Sequence, residues 1–276
     1  MTGKLIKYEF RSIIKQIGIV WIALPVTALL LSFSDWIISG NELMPERSGI
    51  FGDILLMVTS FLYGGIFMAM AAITCLIVLM RFYKGLLRDE GYLMHTLPVK
   101  TWQLITAKGV VAACVVLGSI LIAIFSIFML NAIGGFSDIG DMLAQIGNLY
   151  GEHPVAFLYT LEILVIAIMA ILKSIYQVYA AMSIGQLAPK HRIAFSVLAY
   201  IGIGAVMMIL FILLISFLGT DMMAGAVKWM VNGLDNMDAE QGVQLVALLF
   251  FLSQAVQVVI FHVVSERILN KRLNLE

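Results

Sequence analysis

Residues 54–82 read ILLMVTSFLYGGIFMAMAAITCLIVLMRF, an apolar run with a single charge near its end. A helix needs about 20 apolar residues to cross the hydrocarbon layer of a membrane, and this run is longer than that. Backbone groups in lipid must be paired within the segment, and the run lacks the alternating pattern of a barrel strand. It therefore predicts a membrane-spanning helix.

The rest of the chain repeats this pattern five times. Apolar runs of comparable length occupy residues 17–38, 109–133, 156–184, 193–218 and 243–264. Hydrophobic residues make up 62% of the chain and charged residues 12%, with a mean hydropathy of +1.01, which excludes an ordinary water-soluble globule. We expect an all-α polytopic membrane protein, with six transmembrane helices in one domain over residues 1–276.

Basic residues lie on one side of the predicted bundle. Fourteen of the seventeen Lys and Arg residues, counting Arg81 at the very end of the second run, fall before the first run, after the sixth, or in the loops that follow the second and fourth runs. The alternate loops hold only Arg47 and Lys228, and they are rich in Asp and Glu. Short loops that carry Lys and Arg stay in the cytoplasm. The pattern therefore predicts that both termini are cytoplasmic and that the basic side contacts anionic membrane lipid.

The residues that precede the first run have an amphipathic pattern. Over residues 3–16, apolar side chains recur at helical spacing opposite basic ones. The candidate interfacial residues are Lys4, Lys7, Phe10, Arg11 and Lys15. Either the segment forms an interfacial amphipathic helix with its lysines toward the lipid headgroups, or it is a basic flank that only orients the first span.

The loop between the second and third runs is unusually apolar for a cytoplasmic connection. Residues 81–98 read RFYKGLLRDEGYLMHTLP. Pro98 disfavours helix at the residue before it and predicts the end of a short element. A short helix with exposed aromatic and aliphatic side chains needs a surface to bury them against. That surface is either a partner protein or the lipid interface.

Four segments give the chain a resemblance to a known family. They are LIKYEFR (residues 5–11), EGYLMHTLP (90–98), SIGQLAPKHR (183–192) and LNLE (273–276). Together with the layout of six runs, which covers essentially the whole chain, they resemble the permease subunits of ABC-2-type ABC transporters of Gram-positive bacteria. The resemblance implies two permease halves, identical or different, in a bacterial plasma membrane, with ABC ATPase subunits bound below them.

The resemblance also implies roles for particular residues. Residues 3–16 would be the connecting helix, and the loop around 89–97 would be the coupling helix seated in the ATPase. The implied docking residues are Arg88, Asp89, Glu90, Tyr92, Leu93, His95 and Leu97. ATP and Mg²⁺ would be bound by the partner ATPase, and no cofactor by this chain.

Catalytic sequence motifs are missing. The only Gly-Lys pair is Gly3-Lys4, so there is no P-loop and we do not expect the chain to hydrolyse ATP itself. No HExxH or GxSxG motif occurs, and the four histidines are scattered, so we expect neither an enzyme nor a metal site. The basic residues are dispersed along a membrane face without an aromatic platform, which argues against nucleic-acid binding.

Polar side chains within the runs are candidates for a transport path, because ionisable groups are costly in lipid. Glu162 and Lys173 lie within about 20° of the same face of the fourth helix, but about 16 Å apart along it. Gln177 follows on that side, and Gln254 and Gln257 are neighbours on the sixth helix. The charged pair either lines a path or lies near the two membrane surfaces, and the glutamines either join helices or face a path.

Three functions fit these observations. The first is the permease subunit of an ATP-driven transporter that exports or extracts an amphiphilic substrate: a peptide antimicrobial, a lipid or a hydrophobic drug. The second is a non-transporting membrane scaffold or immunity protein that binds a peptide, a lipid or another membrane protein. The third is an ion-coupled carrier that uses Glu162 and Lys173, but the sequence lacks the internal repeat or broken-helix pair of such carriers.

Overall fold

The structure is helical. The computed structural model describes residues 2–39, 50–87, 99–130, 137–152, 154–188, 190–218 and 239–271. Within these ranges the chain forms seven α-helices and no β-strand. The helices are α1 (Thr2–Ser39), α2 (Ile50–Leu87), α3 (Thr101–Leu130), α4 (Ser137–Glu152), α5 (Pro154–Gly185), α6 (Arg192–Leu218) and α7 (Ala239–Lys271).

Six of these helices are long and apolar enough to cross a membrane, namely all except α4. The prediction of an all-α chain with six helices of membrane-spanning length is therefore confirmed. In α5 and α6 none of the residues in the most apolar window is buried inside the protein. Apolar side chains in that position are suited to contact lipid. Their exposure to lipid costs no free energy, whereas their exposure to water would.

The helices extend beyond the apolar runs that predicted them. The third run was placed at 109–133, but α3 already begins at Thr101 and is described to Leu130. The backbone amides of Gln103 and Leu104 donate to the carbonyl of Lys100 and close the first turn. No glycine or proline interrupts residues 101–108, so helical hydrogen bonding continues through sequence that is less apolar than the span itself.

The amphipathic segment 3–16 is the first part of α1 and does not form a separate helix, since α1 has no break before its span. Its apolar face packs against protein. Ile13 and Ile17 are buried in a cluster with Val111 and Val115 of α3. The helical periodicity read from the sequence is therefore satisfied by contacts within the chain.

The chain folds as two compact units. Unit 1 comprises Met1–Arg81 and Val110–Leu161, and unit 2 comprises Phe82–Gly109 and Glu162–Glu276. The division passes through α2, α3 and α5, so each of these helices contributes to both units. Unit 2 thus contains the ends of α2 and α3 on either side of residues 88–98.

Polar side chains join the helices of unit 1. The indole Nε1 of Trp21 donates to Ser119 Oγ at 3.0 Å, and Thr74 Oγ1 lies 3.0 Å from the same oxygen. The hydroxyls of Tyr63 and Ser126 are also 3.0 Å apart. Hydrogen bonds of this kind hold helices together in lipid, where the hydrophobic effect between helices is absent.

Candidate functional site

The predicted docking loop lies outside the described residues. It comprises Arg88, Asp89, Glu90, Tyr92, Leu93, His95 and Leu97. The structure does describe what stands on either side of it, which is α2 as far as Leu87 and α3 from Thr101 onward. The candidate site is therefore built from these two helix ends and their neighbours in unit 2.

Both helix ends beside the loop are buried. At the end of α2, Phe82 and Leu86 have 0% of their surface exposed and Leu87 has 3%. At the start of α3, Leu104 and Ile105 are equally buried. Side chains without exposed surface are in contact on every side, so each helix end is fixed by its neighbours. The loop consequently leaves from and returns to anchored backbone.

An aromatic group connects the end of α2 to α5 and α7. The rings of Phe82 and Tyr179 are stacked, with centroids 3.9 Å apart and 12° between their planes. Tyr176 makes edge contacts with Tyr179 at 5.9 Å and with His262 of α7 at 5.4 Å. Such ring pairs add about 0.5–1.5 kcal/mol each beyond the area they bury. We call Phe82, Tyr176, Tyr179 and His262 the aromatic base.

Two glycines leave room for larger side chains beside the aromatic base. A Cβ atom on Gly85 would lie 2.5 Å from Lys108 Nζ, and one on Gly109 would lie 2.5 Å from the Tyr176 hydroxyl oxygen. Lys108 is only 6% exposed, and its carbonyl accepts a 3.4 Å hydrogen bond from the Tyr179 hydroxyl. The sequence analysis counted Lys108 as a loop cation and missed its burial. Its place at the edge of an apolar run was the only signal.

The five predicted pathway residues differ in burial. Glu162, Lys173, Gln177 and Gln257 are half-buried, whereas Gln254 is 6% exposed. None of the five hydrogen bonds or ion-pairs with another residue that the structure describes, and the side-chain oxygen of Gln254 is buried without a partner. Among the described residues neither Gln254 nor Gln257 bonds to another helix, and the two alternatives for them stay predictions.

Glu162 lines a cavity between α5 and α7 within unit 2. Its volume is about 200 Å³. It is lined by Glu162, Val165 and Ile166 of α5 and by Gln244, Ala247, Leu248 and Phe251 of α7. The sequence analysis named Glu162 but missed Gln244 as its neighbour. The signal was the helical spacing of residues 244, 247, 248 and 251, which places them on one face of α7.

The predicted interfacial residues lie along the first part of α1. The basic ones are exposed, and these are Lys4, Lys7, Arg11 and Lys15. Phe10 is half-buried and packs against the apolar cluster around Ile13. On the same helix, Glu9 pairs with Arg81 of α2 at 3.6 Å, and Arg81 also donates to the Ser12 hydroxyl. The amphipathic segment is thus tied to α2 by charge as well as to α3 by apolar contact.

Comparisons with known proteins give no match, whether with family models, with curated proteins or with solved structures. Within the described ranges, no group of three His, Cys, Asp or Glu side chains could hold a metal ion. Two features of unit 2 stand out for function: the anchored helix ends beside residues 88–98, and the polar residues of α5 and α7.

Proposed function

We propose that this chain is the permease subunit of an ATP-driven transporter of the ABC-2 type, in a bacterial plasma membrane with both termini cytoplasmic. Six helices of membrane-spanning length and the resemblance at residues 5–11, 90–98, 183–192 and 273–276 support this function. The observation that carries it is the burial of both helix ends beside residues 88–98. A docking loop can transmit a displacement only if the helices on either side of it are packed against the rest of the protein.

The contacts of the aromatic base provide a route for that movement. Residues 88–98 continue directly from the last turn of α2, where Phe82 is stacked on Tyr179 of α5. Tyr176 on the same helix contacts His262 of α7. Because close-packed rings resist compression, a displacement of the end of α2 is passed to α5 and α7. The ATPase would supply the energy by binding two permease conformations with different affinity.

The partners follow from this assignment. ABC ATPase subunits hold ATP and Mg²⁺, a second permease half completes the path as a homodimer or heterodimer, and membrane lipid surrounds the spans. The substrate is amphiphilic, and a peptide antimicrobial, a lipid or a hydrophobic drug suits the scarcity of hydrogen-bonding groups in the spans. Export from the cell or extraction from the membrane is the direction we favour for such substrates.

The test is co-purification from the native membrane in a gentle detergent. Tagged wild-type protein is compared with the double variant Glu90→Lys/Leu93→Asp, and co-purifying chains are identified by mass spectrometry. We expect a P-loop ATPase with the wild type and its loss with the double variant. The matched control is Leu149→Asp/Glu152→Lys on α4, where the same two changes fall on exposed residues and should leave the ATPase bound.

Two outcomes would contradict the proposal. If neither the wild type nor the variants bring down an ATPase, the chain is not a permease of this class, and the scaffold or immunity function takes its place. If the ATPase stays with Glu90→Lys/Leu93→Asp, the transporter function stands but residues 88–98 are not the docking element.

A further inference from the structure

We infer that the cavity between α5 and α7 is a binding site for a small amphiphilic cation, with Glu162 as the group that recognises the positive charge. The inference concerns a ligand site on this chain alone and does not depend on an ATPase partner. It rests on the lining of the cavity, on a carboxylate that no described residue pairs with, and on the position of both along the two helices.

The carboxylate of Glu162 has no counter-charge among the residues that the structure describes. A charged side chain in a membrane helix is costly and is normally paired with another group or faces a polar cavity. Glu162 lines a cavity whose other walls are apolar except for Gln244. An anionic group in an apolar cavity favours a ligand that brings a positive charge, because that ligand removes the unpaired charge.

The depth of the cavity suits a ligand with a charged head and an apolar tail. Glu162 lies about two turns from the start of α5, and Gln244 lies about one and a half turns from the start of α7. The apolar lining continues along both helices in the direction of their centres, through Ile166 and Phe251. A cation held at Glu162 can therefore place its tail against apolar side chains while its head stays near the helix ends.

The size of the cavity limits what it can hold. Binding sites for drug-sized ligands usually measure about 300–1,000 Å³. The cavity here is about 200 Å³, which is enough for a substituted ammonium head and the first methylenes of one chain. The lining contains a single carboxylate, that of Glu162, which balances one positive charge. We therefore assign the site to a single-chain monocation.

The experiment measures equilibrium binding of radiolabelled dodecyltrimethylammonium to the purified full chain in the uncharged detergent dodecyl maltoside. We expect saturable binding to one site in the wild type. The uncharged amine oxide with the same chain length should compete poorly. In Glu162→Gln the affinity for the cation should fall about tenfold, the expected effect of removing one partly buried charge contact.

Two further variants distinguish a loss of ligand binding from a loss of the folded state. Ala247→Trp fills the cavity but leaves Glu162 in place, and it should abolish binding. Glu152→Gln removes a carboxylate from exposed α4 and should bind the cation as the wild type does. Thermal unfolding of each variant establishes that it is folded before its binding is compared.

The inference is overturned if Glu162→Gln binds dodecyltrimethylammonium as tightly as the wild type, or if the amine oxide competes equally well. Either result would mean that the cavity accepts a dodecyl chain whatever headgroup it carries and that the carboxylate does not select the ligand. Because the assay contains no ATPase, its failure leaves the co-purification result unaffected, and a failed co-purification leaves the binding result unaffected.

Discussion

Two sets of polar residues, one in unit 1 and one in unit 2, differ in whether a described residue satisfies them. In unit 1, Trp21, Thr74 and Ser119 form one hydrogen-bonded group that joins three helices. In unit 2, the carboxylate of Glu162 on α5 has no partner among the described residues. The side-chain oxygen of Gln254 on α7 likewise has none. Both sets lie inside helices of membrane-spanning length, yet among the described residues only the first set is satisfied.

This difference distinguishes polar side chains that stabilise the fold from polar side chains that are available to a ligand. A small hydroxyl in a membrane helix readily forms a hydrogen bond, because a neighbouring helix or its own backbone provides a partner. The bond then adds stability. A carboxylate or a long amide that lacks a partner adds cost instead. A chain retains such a cost where another molecule supplies the missing partner, and for this reason we place the ligand site in unit 2.

The largest effect should come from the aromatic base, which packs the ends of three helices of unit 2 together. Phe82→Ala removes a ring with no exposed surface that is stacked on Tyr179, and should lower the free energy of unfolding by about 3–5 kcal/mol. The matched control Phe195→Ala removes a ring that is 52% exposed on α6 and should change little. Thermal unfolding in detergent measures both. Equal losses would show that the aromatic base has no special role.

A smaller loss should follow from crowding the contact between α5 and α6. A Cβ atom on Gly185 would lie 2.7 Å from the backbone Cα and nitrogen of Ser196, atoms that cannot rotate away. Gly185→Ala should therefore cost about 1–3 kcal/mol of unfolding free energy. Gly202→Ala is the control, because nothing lies within 4 Å of that position and alanine favours a helix. A harmless Gly185→Ala would contradict the close approach of the two helices.

The hydrogen bonds of unit 1 should give a still smaller loss. Ser119→Ala removes the shared partner of Trp21 and Thr74, and should cost about 0.6–1.7 kcal/mol, which are the average and the maximum for such bonds between membrane helices. Ser253→Ala removes a hydroxyl that bonds only the carbonyl of Phe250 in its own helix and should be nearly neutral. A loss for Ser253→Ala as large as for Ser119→Ala would remove the distinction between bonds within and between helices.

The helices could be predicted from the sequence because lipid imposes a simple rule on length and hydropathy. The run 54–82 lies inside α2, and the run 156–184 lies inside α5. The helix ends could not be predicted in this way, since residues such as Trp102 and Gln103 belong to α3 although they are not part of an apolar run. The short helix α4 lies between the third and fourth runs, and hydropathy alone does not identify it.

The candidate site was less accessible to sequence reasoning, because it depends on contacts between segments far apart in the chain. Glu162 was recognisable as a charge within an apolar run, but its neighbour Gln244 is contributed by another helix. Likewise nothing in the sequence pairs Phe82 with Tyr179, and the place of Lys108 at the edge of an apolar run does not identify the residues that bury it. Hydropathy identifies helices, whereas the packing of one helix on another requires the fold.

The most direct test of this account compares the thermal unfolding of Glu162→Gln with that of Ser119→Ala in the same detergent and without ligand. If Glu162 is unpaired and held for a ligand, Glu162→Gln removes a cost and the midpoint of unfolding stays unchanged or rises, while Ser119→Ala lowers it. If Glu162→Gln lowers the midpoint as much as Ser119→Ala does, the carboxylate has a structural partner. The contrast between the two units, and the ligand site that depends on it, would then be wrong.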